Sequence, residues 1–142
     1  MASSRFKYDD GFDPDGDLIL RTATFPGDTN PNGDIFGGWL MSQMDIAGGI
    51  LASETAKGRV VTVAVDSFKF LAPVKVGEIV CCHGHIKYIG NTSLRIHLEV
   101  WVKPRFNARP EGKRIKVTEA EFIYVAINDE GKKRPIPRDA NT

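Results

Sequence analysis

A chain of 142 residues suits one domain and is long enough to enclose a core of its own. Its 42% apolar and 26% charged residues describe a soluble globular protein, and a formal charge of +1 supplies no field to gather nucleic acid or a membrane surface. No stretch reaches the roughly 20 apolar residues that span a bilayer, and no apolar export segment follows Met1.

In chain order, residues 1–16 are polar and crowded with Asp9, Asp10, Asp13 and Asp15. They read as a flexible leader to a domain over 17–137, with 138–142 a flexible tail. Asp15-Gly16-Asp17 has the opening of a calcium loop without its regular oxygen spacing or closing glutamate, so no metal is expected there. A first strand runs near Leu18 to Phe25, and Pro26 to Gly33 is loop by composition. From Trp39 to Ala56 no proline interrupts, and Leu40, Met44, Ala47 and Leu51 recur at helical spacing. Trp39, Met41, Ile46 and Ile50 add apolar surface on other faces. Such a helix wants cover nearly all round, which makes it the central element.

Gly58 stops the helix. Between Arg59 and Leu71, Val60, Val61, Val63 and Val65 make a strand apolar on both faces, expected in the middle of a sheet covered on both sides. Pro73 and Gly77 break it, Glu78 to Ile89 is a third strand, and Gly90-Asn91-Thr92-Ser93 is a tight connection. The fourth strand alternates cleanly, with Leu94, Ile96, Leu98, Val100 and Val102 on one face. Arg95, His97, Glu99, Trp101 and Lys103 take the other. Residues 104–113, with Pro104, Pro110 and Gly112, read as an exposed connection. Arg114 to Asn128 is the fifth strand, and Asp129-Glu130-Gly131 turns the chain into a basic tail.

Adjacent Cys81 and Cys82 point to opposite faces of a strand, so a disulfide framework is not expected and a cytoplasmic home is. His83 and His85 share a face with Cys81, but zinc would still lack a fourth ligand, so both read as packed or solvent-facing. His97, between Arg95 and Glu99, reads as surface. One strand, one long helix and four strands on short connections predict an α+β fold, the helix wrapped by a five- to six-stranded antiparallel sheet. Apolar surface left over on the helix and second strand calls for a second copy of the chain, as a two-fold dimer.

The chemistry concentrates between Asn30 and Asp45. Gly37-Gly38 stands at the helix start, where unpaired N–H groups and the helix dipole favour negative charge. With no Cβ in the way, this is a donor pocket for a carbonyl oxygen that gains charge during reaction, or simply a place where the helix start packs closely. Asp45 is a carboxylate set between Met44 and Ile46 in the most apolar segment. Burial there raises an acid toward general-base range; the alternative is a structural acid satisfied by Ser42 or Gln43. Asn30 is a turn residue whose amide could also hold water or a carbonyl. Gly38 and Asp45, seven positions apart, lie about 10 Å apart along the axis, too far to act on one bond from one helix. Two antiparallel helices across a dimer axis would bring each aspartate opposite the partner's glycine pair.

The run from Asn30 through Phe36-Gly37-Gly38-Trp39 to Met44-Asp45 resembles the signature of the YciA-type acyl-CoA thioesterases, which have the hotdog fold. The similarity continues through Gly58 to Val65, Val76 to Cys82, Glu99 to Val102 and Arg134 to Pro137. It implies a thioester hydrolase with no cofactor and no metal, in which coenzyme A is part of the substrate. The family's essential aspartate falls on Asp45, as base or nucleophile, its asparagine on Asn30 and its oxyanion glycine on Gly38, with Asn and Asp from different protomers. It also implies a trimer of dimers.

Coenzyme A needs cationic groups and backbone donors near the tunnel mouth. Candidates are Gly37, Arg59, Ser67 and Lys69, the turn Gly90, Asn91, Thr92 and Ser93, and Lys132, Lys133 and Arg134, each also readable as a solvated charge or turn residue. The acyl chain is expected near Met44, Phe68 and Phe70. Two rivals remain. A hydroxyacyl-thioester dehydratase of the same fold usually places a histidine near the helix start, where Phe36 stands; the other rival is a non-catalytic acyl-CoA binding module.

Overall fold

The computed structural model describes residues 14–103 and 114–138. The connection expected over 104–113 and most of the expected leader and tail lie outside the described residues. Strand β1 (Asp17–Ala23) leads through a single 3-10 turn (Pro26–Asp28) to helix α1 (Gly37–Ala56). Four long strands follow: β2 (Val60–Phe70), β3 (Ile79–Ile89), β4 (Ser93–Lys103) and β5 (Ile115–Ala126). The helix closes on Lys57, whose left-handed backbone (φ 56°) turns its N–H back to the Ser53 carbonyl, one residue before the expected stop.

One antiparallel sheet holds all five strands in the order β1-β3-β4-β5-β2. The alternation in β4 sends Leu94, Ile96, Leu98, Val100 and Val102 toward the helix, where they bury fully with Met44, Ala47, Phe122 and Tyr124. This is the core, and helix and sheet each supply the other's cover.

Two expectations about the strands need correction. β2 is an edge strand, paired only with β5, and not a central one. Val61 and Val63 are exposed, at 40% and 54%. The helix reaches β2 through the Thr62–Asp45 contact, and among the described residues Val61 and Val63 are left uncovered. The link between β2 and β3 does not make them neighbours either: β3 crosses to pair with β1 and β4. The second face of β4 is also less open than alternation suggests. Glu99 and Trp101 are buried, Trp101 Nε1 donating to Glu99 Oε1 at 2.9 Å and the Asp15 N–H, from the segment before β1, donating to the same oxygen at 3.1 Å.

Candidate active site

Asp45 sits in the middle of α1, on the flank that faces β2, and is half-buried, not sealed in the core. Ser42 and Gln43 are not its partners: Ser42 bonds the Trp39 carbonyl and Gln43 accepts from Thr22. Two hydroxyls from the sheet reach the carboxylate instead. Thr62 donates to Oδ1 at 2.6 Å, and Tyr124 donates to Oδ1 and to the Asp45 carbonyl, both at 3.0 Å. Thr62 and Tyr124 are directly paired across β2 and β5, so the strand register places both hydroxyls beneath the acid. Burial, then the charge of Asp45, pushes the Tyr124 phenol well above its ordinary pKa, which keeps it a donor. Gly48, one helical turn on, makes this approach possible, since a Cβ there would overlap the Tyr124 hydroxyl. Both contacts fall on Oδ1, leaving Oδ2 for chemistry.

At the start of α1, Trp39 and Leu40 bond back to the Phe36 carbonyl, and Phe36 supplies no side-chain cap. The Gly37 and Gly38 amides are therefore the open donors of the first turn. A Cβ on Gly38 would meet open space, whereas one on Gly37 would strike the Phe70 ring. Close packing explains the first glycine and clearance for a ligand fits the second. Asn30 lies beside them, its Oδ1 accepting from the Asn32 and Asp34 N–H groups at 2.9 and 3.1 Å. That fixes the side chain in a turn and leaves its amide nitrogen as the outward donor. Asn30, Gly37, Leu40, Phe70 and Leu71 line a cleft of ≈ 460 Å³.

The expected coenzyme contacts divide between the two ends of the molecule. Ser67, Phe68 and Lys69 lie near the cleft, on a bulge of β2. Ser67 there has a left-handed backbone (φ 53°), Phe68 packs on Phe70, and Lys69 pairs with Glu119. Gly90 to Ser93, Arg59, Lys132 and Arg134 gather at the opposite end of α1. Asn91 and Thr92 accept the Ile136 and Ala126 N–H groups, Arg59 donates to the Asp129 carbonyl, and the Lys132 N–H donates to Asn128. Arg134 spends its guanidinium on the carbonyls of Ile127, Ala56 and Arg59, closing the end of the helix. A helix of 20 residues separates the two groups by about 30 Å.

The model of the thioesterase superfamily matches residues 32–105. The acyl-CoA thioester hydrolase YciA of Escherichia coli is 59% identical over 124 residues, 87% of this chain and 93% of that protein. This chain belongs to the acyl-CoA thioester hydrolases of that superfamily. Members of known structure share its architecture. A hexameric broad-specificity acyl-coenzyme A thioesterase, 51% identical, superposes with a TM-score of 0.86 over 96% of this chain and 91% of that one. The acyl-CoA hydrolase of Staphylococcus aureus, solved with butyryl coenzyme A, is 32% identical, with a TM-score of 0.74 over 83% of this chain and 70% of that one. That hydrolase has also been solved with an asparagine, an aspartate or a threonine changed to alanine. One helix against five antiparallel strands is thus the hotdog fold, and the enzyme is an acyl-CoA thioester hydrolase.

Thr62 and Tyr124 were not among the residues expected from sequence. A threonine in a valine run reads as a strand former, and a tyrosine in β5 as core. The one available signal was chemical: a carboxylate in an apolar helix needs donors, and these two hydroxyls are the polar groups on the sheet face beneath it.

Proposed function

We propose that the enzyme hydrolyses acyl-CoA to free acid and coenzyme A at a site shared by two protomers, Asp45 coming from one and Asn30 with Gly38 from the other. The carboxylate held by Thr62 and Tyr124 through one oxygen is the observation that carries this reading. Oδ2 takes a proton from water as the water oxygen attacks the thioester carbon. The carbonyl oxygen, now an anion, accepts the Gly38 N–H at the positive end of the helix, and the Asn30 amide positions the water or the carbonyl. Collapse of the tetrahedral intermediate breaks the carbon–sulfur bond, and the thiolate recovers the proton from Asp45. Water is the only second reactant, so the chemistry needs no cofactor.

Three observations support two protomers per site. Asp45 and Gly38 are about 10 Å apart on one rigid helix. Met41, Ile46 and Ile50 on α1, and Val61 and Val63 on β2, are apolar residues left exposed in a single chain. Antiparallel pairing of two chains along α1 and β2 would lay the Gly90–Ser93 turn and basic tail of one chain beside the cleft of the other, joining the divided coenzyme contacts. The asparagine, aspartate and threonine changed in the Staphylococcus aureus hydrolase stand fifteen and seventeen positions apart, the spacing of Asn30, Asp45 and Thr62. Since the broad-specificity relative is hexameric, a trimer of dimers is the assembly proposed. Cys81 and Cys82, both buried and neither in a disulfide, fit a reducing cytoplasm.

Asp45→Asn tests the reading. Thiol release from acyl-CoA should fall by about 10²–10⁴-fold with the assembly intact. Tight acyl-CoA binding by the unaltered chain without turnover would favour a binding module instead. The same carboxylate could also attack the thioester directly and form a mixed anhydride. A single turnover in heavy-oxygen water separates the routes, because only the anhydride route leaves label in the Asp45 carboxylate.

A further inference from the structure

The cleft at the start of α1 holds a charged group that the hydrolysis does not use. Among the described residues that line it, Asp34 alone is ionic, and it stands beside Asn30 and Gly37, where the thioester carbonyl is seated. Its backbone is fully committed. The Asp34 N–H donates to Asn30 Oδ1 at 3.1 Å, and its carbonyl accepts the Asn30 N–H at 2.7 Å. What the residue can offer the cleft is therefore its carboxylate. Asp34 is half-buried, and its side chain has no hydrogen-bond or ion-pair partner among the described residues. We propose that Asp34 is a specificity-determining residue, which admits uncharged acyl groups and rejects those that end in a carboxylate close to the thioester. The proposal rests on the thioesterase reading and on the place of Asn30 and Gly38 in it.

The rest of the wall supports it. Ile35, Leu40 and Val74 are core residues at 4%, 2% and 1% exposure, and they form the buried side of the cleft, with Phe70 and Leu71 on its exposed side. Phe70 is there because of the bulge in β2. Between Asp66 and Lys69, three steps along β2 oppose two along β5. The extra residue turns Lys69 toward Glu119 and Phe70 toward the helix, opposite Thr118 and against Gly37. Such a wall gives an anionic acyl end no donor or cation in exchange for its water. No lysine or arginine lines the cleft among the described residues. Lys75, the backbone bridge partner of Asp34, is exposed and forms no ion pair with it among those residues.

Position makes the charge effective. The turn at Asn30 and the bond from the Ile35 N–H to the Val74 carbonyl at 2.8 Å hold the backbone on both sides of the carboxylate. An acyl carboxylate a few bonds beyond the thioester carbon meets it at short range, partly out of water, where like charges repel. The phosphates of coenzyme A lie at the far end of the pantetheine arm, where solvent ions screen them from Asp34.

The experiment compares thiol release from butyryl-CoA and malonyl-CoA by the unaltered enzyme and by Asp34→Asn, which keeps the side-chain shape and the backbone bonds to Asn30. The two esters share the coenzyme, so only the acyl group differs. In the unaltered enzyme kcat/KM for malonyl-CoA should lie at least about tenfold below that for butyryl-CoA, and Asp34→Asn should close the gap by about tenfold. Butyryl-CoA kinetics should stay within about twofold, which also shows that the variant folds. Added salt should narrow the gap in the unaltered enzyme and not in the variant, a test of the charge that needs no substitution. Equal kcat/KM on the two esters, a gap insensitive to salt, or one that Asp34→Asn leaves as it was overturns the proposal while hydrolysis stands. A folded variant that loses both activities in parallel overturns it too, because Asp34 would then serve the reaction and not the choice of acyl group. Hydrolysis of neither ester by the unaltered enzyme would strike the thioesterase reading itself, and the proposal with it.

Discussion

Asp45 was legible in the sequence because an acid between Met44 and Ile46 in the middle of an apolar helix is conspicuous, but what makes it usable is the pair of hydroxyls beneath it. Tyr124→Phe removes one donor and leaves the ring in place. A hydrogen bond to a charged group contributes about 1.5–3 kcal/mol, so kcat should fall by about ten- to a hundredfold with KM little changed. Gly48→Ala should act in the same direction by pushing the hydroxyl away, since the added Cβ would overlap it. Initial-rate kinetics on both variants decide the matter: an effect confined to KM would remove Tyr124 from the machinery. Neither Thr62 nor Tyr124 could be assigned from sequence, because their role depends on the register of β2 against β5. That register is a tertiary fact with no local signature.

At the scale of the element, strand alternation found the buried face of β4 and misjudged the other face. The reading assumed that polar residues face water, whereas Glu99 is buried with the Asp15 N–H bonded to it, and His83 is 3% exposed. The consequence is a pH dependence of stability. Burial holds the His83 imidazole below its ordinary pKa of 6.5, so the folded state resists charging it. Below pH 6.5 the unfolded chain binds the proton more readily than the folded one, and stability falls as the medium acidifies. Glu99 adds to this at lower pH. Burial alone would raise its pKa, but hydrogen bonds from His97, Trp101 and the Asp15 backbone hold it below the usual 4.5. Its contribution is present above that value and is lost as pH falls through the folded one. Melting temperature should therefore drop between pH 7.5 and pH 5, and His83→Gln should flatten the slope over that interval. An unchanged slope in the variant would show that His83 charges without cost.

At the scale of the whole molecule, β2 is where sequence pattern and single-chain structure disagree most. A valine-rich run predicts cover on both sides, yet within one chain the strand lies at an edge with Val61 and Val63 exposed. An edge of this kind invites another strand, and the exposed apolar residues of α1 invite another helix. Val63→Lys and Ile46→Glu each put a charge on exposed apolar surface without touching the core, Ile46 being 51% exposed. Light scattering should show both variants shifted toward smaller species, with hydrolysis lost in parallel and helical circular dichroism retained. A single-chain variant that keeps full activity would refute the shared site.

Local order was written in the sequence: the helix and strands, the turn at Asn30, the paired glycines and the acid at position 45. Each depends on residues close together in the chain, through periodicity, backbone freedom and the cost of an isolated charge. The tertiary structure decided the strand order, the exposure of β2, the hydroxyls on Asp45 and the contact of Asp15 with Glu99. Those features join residues up to 84 positions apart, as Asp15 and Glu99 are, and only packing chooses such partners. Apolar pattern reports that a surface must be covered; it takes the assembled fold to show which part of the chain covers it.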